Sequence, residues 1–228
     1  MSYWVELGII VLVVGGMVQG YLGGLRKTAV LALFLLLCFL LALAFGQAGA
    51  DYLVLYHDAD IKIMPVLLER LPLVITVSPP RAPLPDAGQR AASIVQHMPL
   101  TPVYKDWLVG LSPFGSPRGL TEHTLIAQVF SHLLLRKGVF LFFFCILLLG
   151  RKIMGQVVEP GDKLNGGFGQ RLAAGLLGGA CTLLLLSVLL TALAPFFPLF
   201  LGFLAYDMAD SLLVEYLMTL GLGISPGL

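Results

Sequence analysis

Between residues 29 and 46 the chain carries no charged side chain, and Cys38 is its only heteroatom-bearing one. A helix apolar on every face has no polar side to turn to water, so it must sit deep in a large core or cross a lipid bilayer. Three further stretches have the same character. Residues 7–25 are interrupted only by Gln19. Residues 138–158 are apolar to Gly150 and then carry Arg151 and Lys152. Residues 172–194 hold Thr182, Ser187 and Thr191 as their only hydroxyls. Crossing the hydrocarbon takes about 20 residues of helix. The expectation is an all-α polytopic membrane protein with these four spans.

Composition agrees. The 228 residues are 58% hydrophobic and 12% charged, which excludes a disordered chain, a coiled coil and an ordinary soluble enzyme. With 14 basic against 13 acidic residues there is no cationic excess to neutralise phosphates, so nucleic acid is not an expected partner. Cys38, Cys145 and Cys181 lie in separate apolar runs and read as packing residues. No basic residue precedes Arg26, so a cleaved leader is not expected.

The spans divide the chain into four parts: a first hairpin in residues 1–56, a segment at 57–137, a second hairpin at 138–195 and a tail at 196–228. The 57–137 segment contains all four histidines and ten of the 14 prolines. Such proline density rules out one long helix. Short interfacial helices are expected at residues 61–71 and 87–98. An amphipathic helix at 121–135, with Thr121 as N-cap, should lead into the third span. In the tail, residues 203–220 read as one amphipathic helix lying on the membrane. Asp207, Asp210 and Ser211 mark its polar face, and Leu212, Leu213, Tyr216, Leu217 and Leu220 its apolar one. A fifth span is the alternative.

Positive charge collects in the two short connections. Arg26 and Lys27 lie in the first, and Arg151, Lys152, Lys163 and Arg171 in or beside the second. Residues 1–6 and 196–228 hold no Lys or Arg. The positive-inside rule then places both connections in the cytoplasm, and both termini with the proline-rich segment on the other side.

Gly16, Gly20 and Gly24 repeat every fourth residue, a flat stripe along one helix face. Gly175 and Gly179, with Ala174 and Gly178, make a similar face in the fourth span. Small residues let helices approach closely in lipid. Packing of these two spans within one chain is preferred to an oligomer seam or a pore lining. Gln19 and Arg151 are candidates for an intramembrane polar role. Their plainer readings are interhelical hydrogen bonding and snorkelling. The glycine-rich turn at 163–171 lacks the phosphate-loop pattern. Asp51, His57, Asp58 and Asp60 read as a solvated cluster rather than a metal site. No nucleophile with its base is apparent, so no enzyme, cofactor or metal is expected.

Two stretches carry a family resemblance. One is Trp4-Val5-Glu6-Leu7-Gly8-Ile9-Ile10 followed by Gly20 and Gly24-Leu25-Arg26-Lys27. The other is Gly155-Gln156-Val157-Val158-Glu159, then Leu164-Asn165-Gly166, Arg171, Gly175, Gly178 and Gly179. Together they resemble the colicin V production protein family of bacterial inner-membrane proteins, over about residues 1–50 and 138–195. Thr28 stands where that family often has a glutamate, and the spacing from Gly166 to Arg171 is longer. The resemblance implies a four-span, non-enzymatic factor supporting toxin production or export, or envelope homeostasis. It implies no catalytic residue. The expected partners are the bilayer and either a membrane protein or further copies of the chain, joined through the glycine faces. A small oligomeric channel or transporter is the alternative.

Overall fold

A computed structural model describes residues 3–74, 87–110, 122–157, 167–200 and 202–224. The described residues form helices and turns without a strand: α1 Tyr3–Gly23, α2 Leu25–His57, α3 Ala59–Val74, α4 Ala87–Gln96, α5 Pro102–Gly110, α6 Glu122–Val157, α7 Phe168–Leu193, α8 Phe197–Phe200, α9 Gly202–Ala209 and α10 Leu212–Ile224. Four of them, α1, α2, α6 and α7, are long and apolar enough to cross a membrane.

The spans pack as two antiparallel pairs. Along α1 and α7, Gly16 faces Gly178 and Thr182, while Gly20 faces Ala174 and Gly178. Along α2 and α6, Gly46 meets Phe140, Cys38 donates its thiol to the Leu147 carbonyl, and Phe34 reaches Gly150. These pairings bring the α1–α2 turn, the end of α6 and the start of α7 to one end of the bundle. This basic end carries Arg26, Lys27 and Arg171. The start of α1, the far ends of α2 and α7, and α3 to α5 lie toward the other end.

Both central helices outrun the hydrocarbon. α2 has 33 residues and α6 has 36, about 50 Å each against a core of about 30 Å. The span expected at 29–46 therefore continues unbroken to His57. The amphipathic helix expected before the third span is the first half of α6 itself. Helix propensity does not stop where the membrane does, and packing of α3 and α4 on α6 holds the extension in place. Thr121 and Lys163 lie outside the described residues.

Two sharp turns fix the chain path. Gly24 has φ of 79°, a conformation that side chains resist, and it turns α1 into α2. The Thr28 hydroxyl donates to the Gly24 carbonyl at 2.9 Å and steadies that turn. Asp58 has φ of 47°, caps the end of α2 and accepts from the Lys62 amide at 3.1 Å as α3 begins. Asp tolerates this left-handed geometry better than most residues.

Two apolar cores result. Within the bundle, Cys38, Phe39, Ala42, Phe140, Phe144, Val188 and Ala192 pack together. The Phe39 and Phe140 rings meet edge to face at 6.1 Å, and Phe140 stacks on Phe144 at 5.5 Å. Toward the other end Leu67, Val95, Tyr104, Leu108, Phe130, Leu217 and Met218 join α3, α4, α5, α6 and α10 in a second core. The helix expected at 61–71 is α3, longer at both ends, and the one expected at 87–98 is α4.

The tail differs from the single amphipathic helix expected at 203–220. It breaks at Asp210 and Ser211 into α9 and α10. The Ser211 hydroxyl accepts from the Val214 amide at 3.4 Å, the contact of an N-cap, which starts a new helix there. The buried face of α10 is Val214, Leu217, Met218, Gly221 and Leu222, whereas Leu212, Tyr216 and Leu220 point outward. The helix is fastened to α7: Ser187 donates to the Leu217 carbonyl at 2.5 Å. A side chain at Gly221 would meet the Thr191 hydroxyl and would lie 2.8 Å from the Ser187 carbonyl. Gly221→Leu should therefore undock α10, at a cost of about 2 kcal/mol. Gly223, with no neighbour within 4 Å, provides the control. Limited proteolysis in detergent should cut the C-terminal helix of Gly221→Leu faster than that of Gly223→Leu.

Candidate functional site

The candidate site is a charged belt around α6 where the bundle meets the helices packed on its end. Three basic side chains, His132, Arg136 and Lys137, fall within two turns of α6. Two point toward α2 and α3. His132 Nε2 lies 3.6 Å from Asp60 Oδ2, and Arg136 Nη2 lies 3.7 Å from Asp51 Oδ1. Both pairs are largely open to solvent, so each is worth at most about 1 kcal/mol. Their value is positional, since they tie the α2 extension and the start of α3 to one level of α6. Asp51 and Asp60 thus pair with α6. Among the described residues no cluster of His, Cys, Asp or Glu could hold a metal ion.

Between α2 and α6 at this level is an open groove of about 640 Å³. Ala50, Val54, Leu55, Val129 and Leu133 give it an apolar floor, and Asp51, Gln128, His132 and Arg136 give it polar edges. A groove of this shape suits an apolar segment with polar flanks better than a small polar metabolite.

Lys137 faces the opposite way and is fully buried. Its Nζ lies 5.5 Å from the centroid of the Trp107 ring and has no hydrogen-bond partner among the described residues. Trp107 is on α5, and one turn earlier on that helix is Tyr104, with ring centroids 5.2 Å apart. Tyr104 is also fully buried, and its hydroxyl likewise has no hydrogen-bond partner among the described residues. Burial pushes the Tyr104 phenol well above its ordinary pKa, so it stays neutral. A cation over an indole recovers about 2 kcal/mol when desolvated, while taking an ammonium out of water costs several. The trio is thus a net cost to stability within an apolar core. Costly buried polar groups of this kind mark function more often than structure.

The residues singled out from the sequence lie elsewhere. Gly16, Gly20, Gly175 and Gly179 sit in the α1–α7 contact: a side-chain carbon at Gly175 would lie 3.3 Å from the Met17 carbonyl, and one at Gly179 would collide with the Met17 side chain. A side chain at Gly24 would meet nothing of α7, and the residue belongs to the turn instead. Gln19 is exposed and borders a cleft among α1, α2 and α7. Lys27 lines the same cleft. Arg26 is exposed and Arg171 half-buried at the basic end. Arg151 and Lys152 are in α6, with their side chains outside the described set. The Phe34–Gly150 contact sets their backbone about 10 Å deeper than Lys27 along the bundle.

Lys137 and its partners are absent from the sequence-based candidates. A signal existed: Ile126, Phe130, Leu133 and Lys137 recur at helical spacing, so the lysine falls on the buried stripe of α6.

Comparison with family models, with curated proteins and with solved structures gives no match.

Proposed function

We propose that the chain is a non-enzymatic integral membrane factor that holds a partner at the α2–α6 groove. In keeping with the colicin V production resemblance, it would support toxin production or export, or envelope homeostasis, in a bacterial inner membrane. The observation that carries this reading is the open, apolar-floored groove beside ion-paired helix extensions. Those extensions are held rigid by the second core. A preformed groove lowers the ordering cost of binding an apolar segment. The filled bundle core, with Phe39, Phe140 and Phe144 at its centre, weighs against conduction through a single chain.

The orientation proposed is both termini and the groove outside the cytoplasm. Its support is that Arg26, Lys27, the end of α6 and the start of α7 share one end of the bundle, while the tails carry no Lys or Arg.

Capture from membranes in mild detergent tests the function. A groove-filling Val54→Trp variant is compared with the native chain. The account expects a defined partner retained by the native chain and lost at least tenfold from Val54→Trp, with no solute flux through vesicles holding the native chain. Flux in those vesicles, with partner recovery equal for both chains, would favour the oligomeric channel.

A further inference from the structure

The basic end of the bundle carries a second concave site, independent of the groove. α1 leans on α7 through its glycines, and because Gly24 turns the chain so tightly, a wedge opens between α1 and α2. The wedge is a cleft of about 120 Å³. A cavity needs only about 10–15 Å³ on this measure to hold one water, so this one has room for a length of chain. Its walls are of two kinds. Leu31, Ala32 and Leu35 of α2 and Leu185 of α7 give it apolar wall, and Gln19, Lys27, Thr28 and Thr182 give it polar wall. Lys27 has no ion-pair partner among the described residues, and Gln19 has no hydrogen-bond partner there. In α1 between Glu6 and the turn, Gln19 and Tyr21 are the side chains able to donate strong hydrogen bonds, and of the two Gln19 lines the cleft. Gln19 lines the cleft from α1 and Lys27 from α2.

We propose that this cleft binds an anionic phospholipid, with its phosphate between Lys27 and Gln19 and the start of an acyl chain along Leu31, Leu35 and Leu185. The chemistry selects for this occupant in three ways. The ammonium needs a counter-charge at the headgroup level. The amide N–H groups donate to the remaining phosphate oxygens. The leucine walls suit an acyl chain, whose entry desolvates no polar group of its own. A zwitterionic headgroup brings its own cation to Lys27 and loses much of that gain. An inorganic phosphate gains nothing from the apolar wall.

Native mass spectrometry of the full chain in detergent tests the proposal, with phosphatidylglycerol, phosphatidylcholine and inorganic phosphate as probes. The expected result is a one-to-one phosphatidylglycerol adduct, favoured at least fivefold over phosphatidylcholine, the scale of one cation near a lipid phosphate. Lys27→Gln should lower phosphatidylglycerol binding about fivefold. Arg26→Gln removes the same charge one residue away, at an exposed position outside the cleft lining, and should change it less than twofold. Ala32→Phe fills the cleft with all charges kept and should remove the adduct at unchanged helix content. Equal losses for Lys27→Gln and Arg26→Gln would reduce the effect to general surface charge and overturn the proposal. So would equal binding of the two lipids. Displacement of phosphatidylglycerol by inorganic phosphate at equal concentration would assign the site to a free anion and overturn it as well.

Discussion

Gly20→Leu should lower the stability of the folded bundle by about 3 kcal/mol or prevent its assembly. The size follows from what Gly20 touches. A first side-chain carbon there would overlap the Ala174 carbonyl oxygen and approach the Gly178 Cα to 3.2 Å. Both obstacles are backbone, which cannot rotate aside, so the two helices must separate. Overpacking of a fitted interface costs about 1–3 kcal/mol even when side chains can yield. In lipid, separated helices also lose the dispersion contacts that drive their association, with no hydrophobic gain to replace them. Gly15→Leu sits one residue from Gly16 on the same helix but meets nothing within 4 Å. It should be neutral or slightly stabilising, since leucine favours helix over glycine by somewhat under 1 kcal/mol. Ala44→Leu, exposed on α2, should also be neutral. Thermal unfolding of the three variants in one detergent checks this, and an equal midpoint for Gly20→Leu and Gly15→Leu would refute the close contact.

Lys137→Met should move stability the other way. The variant keeps the length of the side chain, removes a buried amine that has no hydrogen-bond partner among the described residues and leaves an apolar chain under Trp107. Replacing buried charge by apolar groups of similar volume is often stabilising by about 1–4 kcal/mol. The lost contact with the indole offsets about 2 of these, so a net gain of about 1 kcal/mol is expected. If the cation serves the function, the more stable variant should fail to support it, a trade common where strain is kept for activity. Trp107→Ala should instead destabilise, by about 3 kcal/mol, because a large ring leaves a cavity beside Tyr104. Unfolding midpoints and partner capture for both variants provide the check. A loss of stability in Lys137→Met would show that the lysine is a structural element of the core.

The four spans were legible because an apolar run needs no partner to declare itself. Residues 29–46 have no polar face to turn to water, whatever they pack against. Their true ends were not legible. The extension of α2 to His57 and the early start of α6 are stabilised by tertiary contacts such as Arg136 with Asp51, which join residues 85 positions apart. Proline misled at α5. Pro102 reads as a breaker, yet it occupies the first helical position, where its missing N–H is no loss. With α5 unseen, Trp107 had no place, and Lys137 looked like the flank of a span. The tail misled for a related reason. Residues 203–220 suit one amphipathic helix by pattern, but the Ser211 cap and the docking of Gly221 on α7 select a break and a different buried face. The glycine spacing did carry information about distance of approach. It could not distinguish Gly16 and Gly20, which face α7, from Gly24, which makes the turn.

The central claim is that the basic connections lie at one end of a four-span bundle and the α1 start and α5 at the other. It is tested most directly by impermeant thiol labelling of single cysteines at Tyr3, Arg26, Asp106 and Lys163, in a chain with Cys38, Cys145 and Cys181 replaced. In right-side-out vesicles the account expects labelling at positions 3 and 106 and protection at 26 and 163. Inverted vesicles should give the reverse. Labelling of positions 3 and 26 from the same side would contradict the account, because no bundle with α1 spanning the membrane allows it.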